Sequence, residues 1–311
     1  MDKKYNSVLK TIGNTPIIKI QNISTENAAN IYIKLESFNP TGSKKDRMAL
    51  SMIECAEKRG DLRPGMTVVE YTGGSTGSSL AFVCAIKGYK FHVVSSDAFA
   101  REKLNTMRAF GANLEIIKSQ DGKITPNLIN QMIQRASDIA SAPGTFFTNQ
   151  LNNPDIISGF EKMGNEIIKQ IDGPIDGFCD AIGTAGSLMG VSRSLHAAGH
   201  NTFVIALEPS TSPILTMGKT GGHNVEGIGL GFIPELLDTN YYDESRTINE
   251  NEARETTLRL AREEGIFVGT SSGMNIAGAI RLAKELGPEK TVVAIACDTG
   301  LKYLSEDLFS Q

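Results

Sequence analysis

Tryptophan is absent from this 311-residue sequence, and all aromatic residues together make up only 6% of it. Cysteine and histidine are also scarce, with four of each, and neither type shows the spacing of a zinc site or a disulfide framework. Scattered cysteines are typical of a reducing compartment. We therefore expect free thiols, no metal site and a cytoplasmic location. The cysteines are Cys55, Cys84, Cys179 and Cys297.

Neither sign of charge dominates, since 31 lysines and arginines face 35 acidic residues and give a net charge of −4. This balance argues against nucleic acid or an anionic membrane as a partner, because neither would be attracted to the surface as a whole. No apolar run approaches the length of a membrane span, and the N-terminal residues contain no apolar signal-peptide core. The sequence therefore predicts a soluble intracellular protein.

Short β-branched segments alternate with longer segments whose apolar residues recur at helical spacing. Such alternation is typical of doubly wound α/β folds with parallel sheets, in which ligands lie beyond the carboxyl ends of the strands. The length favours one large or two interlocked domains. The predicted strands are 31–36, 66–71, 91–96, 113–118, 145–149, 176–183, 202–208 and 291–296. The predicted helices are 46–60, 78–89, 101–112, 126–140, 159–171, 186–199 and 273–287.

Three strand-to-helix loops are rich in small and hydroxyl residues: TGGSTGS (72–78), GTAGS (183–187) and GTSSG (269–273). Small residues let backbone N–H groups approach an anion, and a helix N-terminus favours negative charge. The second loop therefore indicates a phosphate site, with a plain tight turn as the alternative. The first loop could hold another anion, such as a substrate carboxylate. The third is equally compatible with an ordinary helix cap, since serine is a preferred N-cap residue.

Two adjacent lysines, Lys44 and Lys45, lie in the segment TGSKKDR (41–47). If Ser43 caps the following helix, both lysines lie in its first turn, where the macrodipole disfavours a cation and burial would lower the pKa further. An uncharged lysine can form a Schiff base with a carbonyl cofactor. Adjacent helical positions point about 100° apart, so only one lysine can face a cleft, and the periodicity does not say which. The alternative is two solvated lysines.

The motifs, in this order, resemble the cysteine synthase family, which includes O-acetylserine sulfhydrylases and the catalytic domains of cystathionine β-synthases. The resemblance extends over nearly the whole chain. The matching segments are IGNTPIIKI (12–20), KLESFNPTGSKKDRMA (34–49), TGGSTG (72–77), RAFGA (108–112), NQLNNP (149–154), IGTAGS (182–187), EGIGLGFIP (226–234), VGTSSG (268–273) and DTGLKYLS (298–305).

This resemblance implies an α/β enzyme of the tryptophan-synthase-β-like fold (fold type II), with two doubly wound domains and parallel-rich twisted sheets. It also implies pyridoxal 5'-phosphate as the cofactor and a homodimer as the assembly. The expected domains are a smaller, mobile one of residues 36–150 with 1–12, and a larger, cofactor-binding one of residues 151–311 with 13–35.

Individual roles follow from the same resemblance. The family pattern S-x-K-D-R implies that Lys45 forms the internal aldimine and later acts as general base, while Lys44 takes a position that is usually apolar. The other implied cofactor-binding residues are Ser75, Gly183, Thr184, Ala185, Gly186 and Ser187, with Ser271 facing the pyridine nitrogen. The residues implied to bind the substrate α-carboxylate are Thr72, Gly73, Gly74, Thr76 and Gln150.

The implied reaction is β-replacement on an activated serine through an aminoacrylate, with O-acetyl-L-serine and sulfide giving L-cysteine and acetate. Three residues of the glycine-rich loops depart from the family pattern: Gly73 replaces a serine, Ser75 an asparagine and Ala185 a glycine. A positive φ at Ala185 would cost about 1 kcal/mol or more. The first two changes predict a looser cleft with elimination beside replacement, which Gly73→Ser with Ser75→Asn should shift towards replacement.

Two other functions stay open at this point. One is β-elimination by the same cofactor, as in a cysteine desulfhydrase or a serine dehydratase. The other is a catalytically decayed homologue that binds the cofactor or a partner protein. An apolar Leu230, where relatives that use phosphoserine are expected to carry an arginine, disfavours phosphoserine as the substrate.

Overall fold

Parallel strands, each followed by a helix, make up most of the chain in the computed structural model, which describes residues 4–23, 26–122, 125–305 and 307–309. The strands are β1 (Ile17–Lys19), β2 (Asn30–Leu35), β3 (Thr67–Tyr71), β4 (Lys90–Ser96), β5 (Asn113–Ile117), β6 (Thr145–Phe147), β7 (Gly177–Ala181), β8 (Phe203–Pro209), β9 (Glu244–Ile248) and β10 (Thr291–Ala296). All eight strands predicted from the β-branched segments are confirmed, and so is the α/β fold class.

The seven predicted helices are confirmed, whereas Ile214–Met217 and Glu250–Glu263 are helices that the sequence analysis did not predict. They are α1 (Lys45–Arg59), α2 (Ser75–Lys87), α3 (Arg101–Ala109), α4 (Pro126–Ala140), α5 (Asp155–Gln170), α6 (Gly186–Ala197), α7 (Ile214–Met217), α8 (Glu250–Glu263) and α9 (Thr270–Leu286). Short 3-10 helices span Val8–Thr11, Glu36–Phe38, Thr239–Tyr241, Gly300–Tyr303 and Asp307–Phe309. None of the described helices combines the length and the apolar character needed to cross a bilayer.

The first of two compact units comprises Met1–Ile12, Lys45–Ile156 and Lys302–Gln311. Its four-stranded sheet has the order β5-β4-β3-β6, and every pair is parallel. Because side chains alternate along a strand, Val69 and Val94 face α4 and pack on its residues Leu128 and Met132. The TGGSTG loop follows β3, so it lies at the carboxyl edge of this sheet.

The second unit comprises Gly13–Lys44 and Ile157–Leu301. Its six-stranded sheet has the order β1-β2-β10-β7-β8-β9, with β1 antiparallel to β2 and every other pair parallel. Ile33 of β2 and Ala294 of β10 belong to a core that also includes Met274 and Ile276 of α9. The GTAGS loop follows β7 at the carboxyl edge of this sheet.

The bounds of these units differ from the domain bounds that the resemblance implies, because residues 36–44 lie in the second unit and residues 151–156 and 302–311 in the first. The implied division into 36–150 with 1–12 and 151–311 with 13–35 stays a prediction about domains that move independently. Sequence reasoning missed strand β9, which is an edge strand. Its residues Glu244, Ser245 and Arg246 are polar, so the segment shows no apolar alternation.

Candidate active site

The GTAGS loop joins β7 to α6 in the second unit, and all five of its residues are buried. Ala185 is the N-cap residue of α6, and its side chain makes no capping hydrogen bond. The first N–H groups of a helix have no partner within the helix, and alanine offers them no acceptor. Apart from the amide of Gly186, they are therefore available to an anion at the positive end of α6. Thr184 adds a hydroxyl, which accepts a long hydrogen bond of 3.4 Å from the amide of Gly186.

Two backbone positions give this loop its shape. A Cβ atom at Gly183 would lie 2.2 Å from the carbonyl oxygen of Gly227, so only glycine allows the two segments to approach this closely. Ala185 has a φ of +64°, as expected for a residue that replaces a glycine. A left-handed alanine costs roughly 1 kcal/mol relative to glycine. The loop therefore keeps its shape against local strain.

Releasing that strain should be measurable. We expect Ala185→Gly to raise the free energy of unfolding by up to about 1 kcal/mol, because glycine adopts a positive φ without a steric penalty. Thermal or urea unfolding, compared with the unchanged protein, measures the difference. The matched control is Ala197→Gly at the last residue of α6, which has no positive φ to relieve and should therefore not raise stability. A destabilised Ala185→Gly variant would show that the alanine methyl group contributes more through packing than it costs in strain.

Lys44 lies beneath this loop, not on the surface. Its Nζ atom is 3.0 and 3.1 Å from the two carboxylate oxygens of Asp180 and 2.8 Å from Oγ of Ser187. Burial lowers the pKa of Lys44, but the carboxylate of Asp180 and the thiol of Cys297 raise it by more, so the pKa ends above its usual value. The interpretation of Lys44 and Lys45 as two solvated lysines is therefore wrong for Lys44.

The start of α1 also separates the two lysines. The helix begins at Lys45, so Lys44 precedes it and does not belong to its first turn, contrary to the expectation from Ser43 as a cap. Lys45 is partly buried and is the first residue of α1, which belongs to the first unit. Lys44 therefore lies in the turn before the helix, whereas Lys45 lies in the helix itself.

Asp180 gathers several donors at the carboxyl end of β7 and is fully buried. Its carboxylate accepts hydrogen bonds from Lys44, from the hydroxyl of Ser187 and, at 2.8 Å, from the amide of Asn275. The Ser187 hydroxyl therefore donates its proton to Asp180 while it accepts from Lys44. A phosphate at the loop would meet the backbone N–H of Ser187, because the hydroxyl proton predicted to serve it is already engaged.

The GTSSG loop opens α9, with Ser271 buried in the first turn. The next residue, Ser272, accepts a hydrogen bond of 2.8 Å from the amide of Cys297 at the end of β10. One turn further on, the side chain of Asn275 accepts from the amide of Ala181 at 2.8 Å and donates to the carbonyl oxygen of Ile295 at 2.9 Å. The start of α9 is thus fixed to the ends of β7 and β10, which holds Ser271 at the same edge of the sheet as GTAGS.

The TGGSTG loop brings together two of the predicted carboxylate-binding residues. Oγ1 of Thr76 donates to Oε1 of Gln150 at 2.7 Å, and Nε2 of Gln150 donates to the carbonyl oxygen of Tyr71 at 3.2 Å. Oγ1 of Thr72 accepts from the amide of Gly74 at 3.1 Å. Gly74 caps α2 without a side-chain acceptor. The positive end of α2 therefore carries no capping side chain from Gly74 and favours an anion, as at α6.

Glu70 lies in β3, directly before this loop, and the sequence analysis did not identify it as a site residue. Its buried carboxylate accepts hydrogen bonds from Oγ1 of Thr148 at 2.8 Å and from the amides of Tyr71 at 2.9 Å and Gln150 at 3.0 Å. Burial raises the pKa of Glu70 to about 7, although the three hydrogen bonds act in the opposite direction. An acidic residue inside the apolar strand MTVVEY was the signal for such a role, because a buried carboxylate needs donors.

Phe99 explains one departure from the family pattern. A Cβ atom at Gly73 would lie 1.8 Å from the nearest atom of the Phe99 ring, so no side chain fits at this position. Phe99 is half-buried and lies in the loop after β4. Sequence reasoning did not single it out, because a phenylalanine in a loop has no local pattern that indicates its neighbour.

The sequence profile described as Pyridoxal-phosphate dependent enzyme matches residues 8–298. The chain belongs to this family. It is 41% identical over 310 residues to the cysteine synthase of Staphylococcus aureus (strain Mu50), covering 99% of this chain and 98% of that protein. It is 41% identical over 308 residues to O-ureido-L-serine synthase of Streptomyces lavendulae, covering 98% and 93% respectively.

Among solved structures, a hydrogen sulfide-producing enzyme from Fusobacterium nucleatum superposes with a TM-score of 0.89 at 34% identity, covering 98% of this chain and 99% of that one. These similarities confirm the membership in the cysteine synthase family, the fold type II architecture, pyridoxal phosphate as the cofactor and an enzyme as the class of protein. Loss of catalysis in a decayed homologue is therefore not the favoured interpretation.

The residues of the GTAGS loop fit the phosphate of this cofactor. The N-terminus of α6 presents N–H groups without a capping side chain, and Gly183 lets the backbone of the loop lie close to Gly227. The individual assignments of the cofactor-binding and substrate-binding residues stay predictions.

Proposed function

We propose that this enzyme catalyses β-replacement on O-acetyl-L-serine with sulfide as the nucleophile, giving L-cysteine and acetate. The observation that carries the proposal is the similarity to a cysteine synthase over 99% of the chain at 41% identity. The local geometry is compatible with it, because one helix N-terminus in each unit can receive an anion. The two anions of this reaction are the cofactor phosphate and the substrate carboxylate.

The two lysines have different roles in this proposal. Lys44 is held as a cation by Asp180 and Ser187, and a charged amine is neither a nucleophile nor a base. Lys45 is therefore the residue that would hold the cofactor aldehyde and would take the Cα proton of the substrate. When bound, pyridoxal phosphate supplies an electron-withdrawing ring for that proton transfer.

The remaining residues bind and orient. Thr184 and the first N–H groups of α6 hold the phosphate, and Ser75 lies in the first turn of α2 for contact with the cofactor. The amides of Gly73 and Gly74, with Thr72, Thr76 and Gln150, receive the substrate carboxylate. Ser271 would face the ring nitrogen of the cofactor, and a serine there would not keep that nitrogen protonated as a carboxylate would. This arrangement suits reactions in which a good leaving group departs from Cβ.

The test is to incubate the purified enzyme with O-acetyl-L-serine, with and without sulfide, and to identify the products by mass spectrometry. We expect L-cysteine and acetate in equal amounts when sulfide is present. O-phospho-L-serine, tested in parallel, should be a poorer substrate because Leu230 offers its phosphate no charge. The Lys45→Ala variant gives the background. Cysteine formation no faster than that background would contradict the proposal.

A second candidate is β-elimination from L-cysteine, and one observation favours it. The ring of Phe99 occupies the space that a side chain at Gly73 would need. The TGGSTG loop therefore binds the substrate carboxylate with fewer side-chain donors. The similarity to a hydrogen sulfide-producing enzyme points the same way. Pyruvate and sulfide released from L-cysteine measure this reaction. Elimination is the main activity if its kcat/KM exceeds that of replacement under the same conditions.

The assembly and the compartment belong to the same proposal. We expect a homodimer, as the family resemblance implies, and a cytoplasmic location, which the four free thiols favour. Light scattering on the purified protein gives the number of chains per particle.

A further inference from the structure

A buried carboxylate lies at the anion site of the second unit. Asp180 is fully buried, and it accepts from the hydroxyl of Ser187, which is the second residue of α6. Charges interact strongly in a medium from which water is excluded. Without a counter-charge, this carboxylate would oppose the binding of any anion at the N-terminus of α6.

Lys44 supplies the counter-charge. Its ammonium contacts both oxygens of Asp180 and the Ser187 hydroxyl, and its own amide donates to the carbonyl oxygen of Cys297 at 2.8 Å. The cation is therefore fixed both at its backbone and at its side-chain end. Asn275 completes the arrangement, since it donates to Asp180 and to Sγ of Cys297.

We propose that Lys44 is a positioning residue whose charge cancels that of Asp180 at the start of α6, so that the GTAGS loop keeps its affinity for the cofactor phosphate. The inference rests on the proposed assignment of this loop as the phosphate site. It gives the second lysine of the KK pair a role that is electrostatic and distinct from the covalent role of Lys45.

The proposal predicts opposite effects of removing the two charges. Lys44→Met leaves the carboxylate uncompensated and should weaken pyridoxal phosphate binding by at least about tenfold. Asp180→Asn leaves the cation and should bind the cofactor as tightly as the unchanged enzyme, or more tightly. The double variant, which carries neither charge, should return to within a few-fold of the unchanged enzyme. A purely structural pair would instead weaken binding in both single variants.

The measurement is the cofactor dissociation constant, obtained by bringing each holoenzyme to equilibrium with known concentrations of free pyridoxal phosphate by dialysis. The same variants should be measured with pyridoxal, which has no phosphate. Their dissociation constants for pyridoxal should not follow the order expected for pyridoxal phosphate. Lys34→Met is the matched control, because Lys34 is also buried and paired with an acid, Glu166 at 2.8 Å. It should lower thermal stability without changing the ratio of the two affinities.

Each outcome is decisive. If Lys44→Met fails to fold, Asp180→Asn and the double variant still test the proposal, and weaker phosphate-dependent binding in Asp180→Asn overturns it. Equal weakening in both single variants overturns it as well. If the unchanged enzyme binds pyridoxal as tightly as pyridoxal phosphate, the phosphate assignment of the GTAGS loop fails, which is a different result from failure of the charge compensation.

Discussion

The Lys45→Ala variant should lose covalent attachment of pyridoxal phosphate and about 10³-fold or more of its turnover, because we propose that this one side chain both binds the aldehyde and moves the Cα proton. Lys44→Ala should keep the attachment at saturating cofactor. The physical reason is that the ammonium of Lys44 is engaged by Asp180 and Ser187, and its pKa is raised, so it is not available as a free amine.

Reduction of the holoenzyme with borohydride, followed by peptide mapping, reads the attachment site directly. The pyridoxyl group is expected on Lys45. The Lys44→Ala variant serves as the control, since it removes the neighbouring amine without touching the proposed nucleophile. Finding the adduct on Lys44 would exchange the roles of the two residues and would also contradict the charge compensation inferred above.

The second large effect concerns the TGGSTG loop, which we propose binds the substrate carboxylate. Three ring atoms of Phe99 lie within 2.3 Å of where a Cβ atom at Gly73 would be. Gly73→Ser therefore cannot be accommodated unless the ring or the loop moves, and overpacking of this kind costs about 1–3 kcal/mol. We expect KM for the amino-acid substrate to rise by roughly tenfold or more. This revises the sequence-based expectation that Gly73→Ser with Ser75→Asn simply tightens the cleft.

Phe99→Ala provides the way to separate the two effects. Combined with Gly73→Ser and Ser75→Asn, it removes the ring and lets the new serine side chain fit, so KM should recover and the products should shift from pyruvate towards cysteine. Gly74→Ala is the matched control, because beyond its chain neighbours no atom of the described residues lies within 4 Å of a Cβ there, and alanine offers the N-terminus of α2 no acceptor. Normal substrate binding in Gly73→Ser alone would show that Phe99 moves away at no cost.

The fold was accessible from the sequence because most of its strands are buried in parallel sheets and are therefore apolar along their length. Segments such as TVVAIA and TFVIALE carry that signal. Strand β9 does not, since an edge strand can present Glu244 and Arg246 to solvent and to each other. The glycine-rich loops were also recognisable, because a close approach to an anion restricts the residue types that are allowed.

The sequence predicted features of the site only where they depend on residues that are close together along the chain. The left-handed conformation of Ala185 followed from its place in a glycine pattern. The partner of Lys44 did not, because Asp180 is 136 residues away along the chain. Glu70 and Thr148 are similarly separated by 78 residues. No spacing rule connects such pairs, although an isolated acid within an apolar strand does indicate that a partner exists.

The buried pair of Lys44 and Asp180 restricts the mutational paths by which this sequence could have arisen from one with an apolar residue at position 44. A lone buried charge costs about 3–5 kcal/mol, so neither residue is neutral when it is acquired alone. The two orders are not equivalent. A lysine that appears first lies beside a site that binds an anion, and the bound cofactor offsets part of its cost. An aspartate that appears first opposes that anion. The cation is therefore expected to precede the carboxylate in the ancestry of this chain.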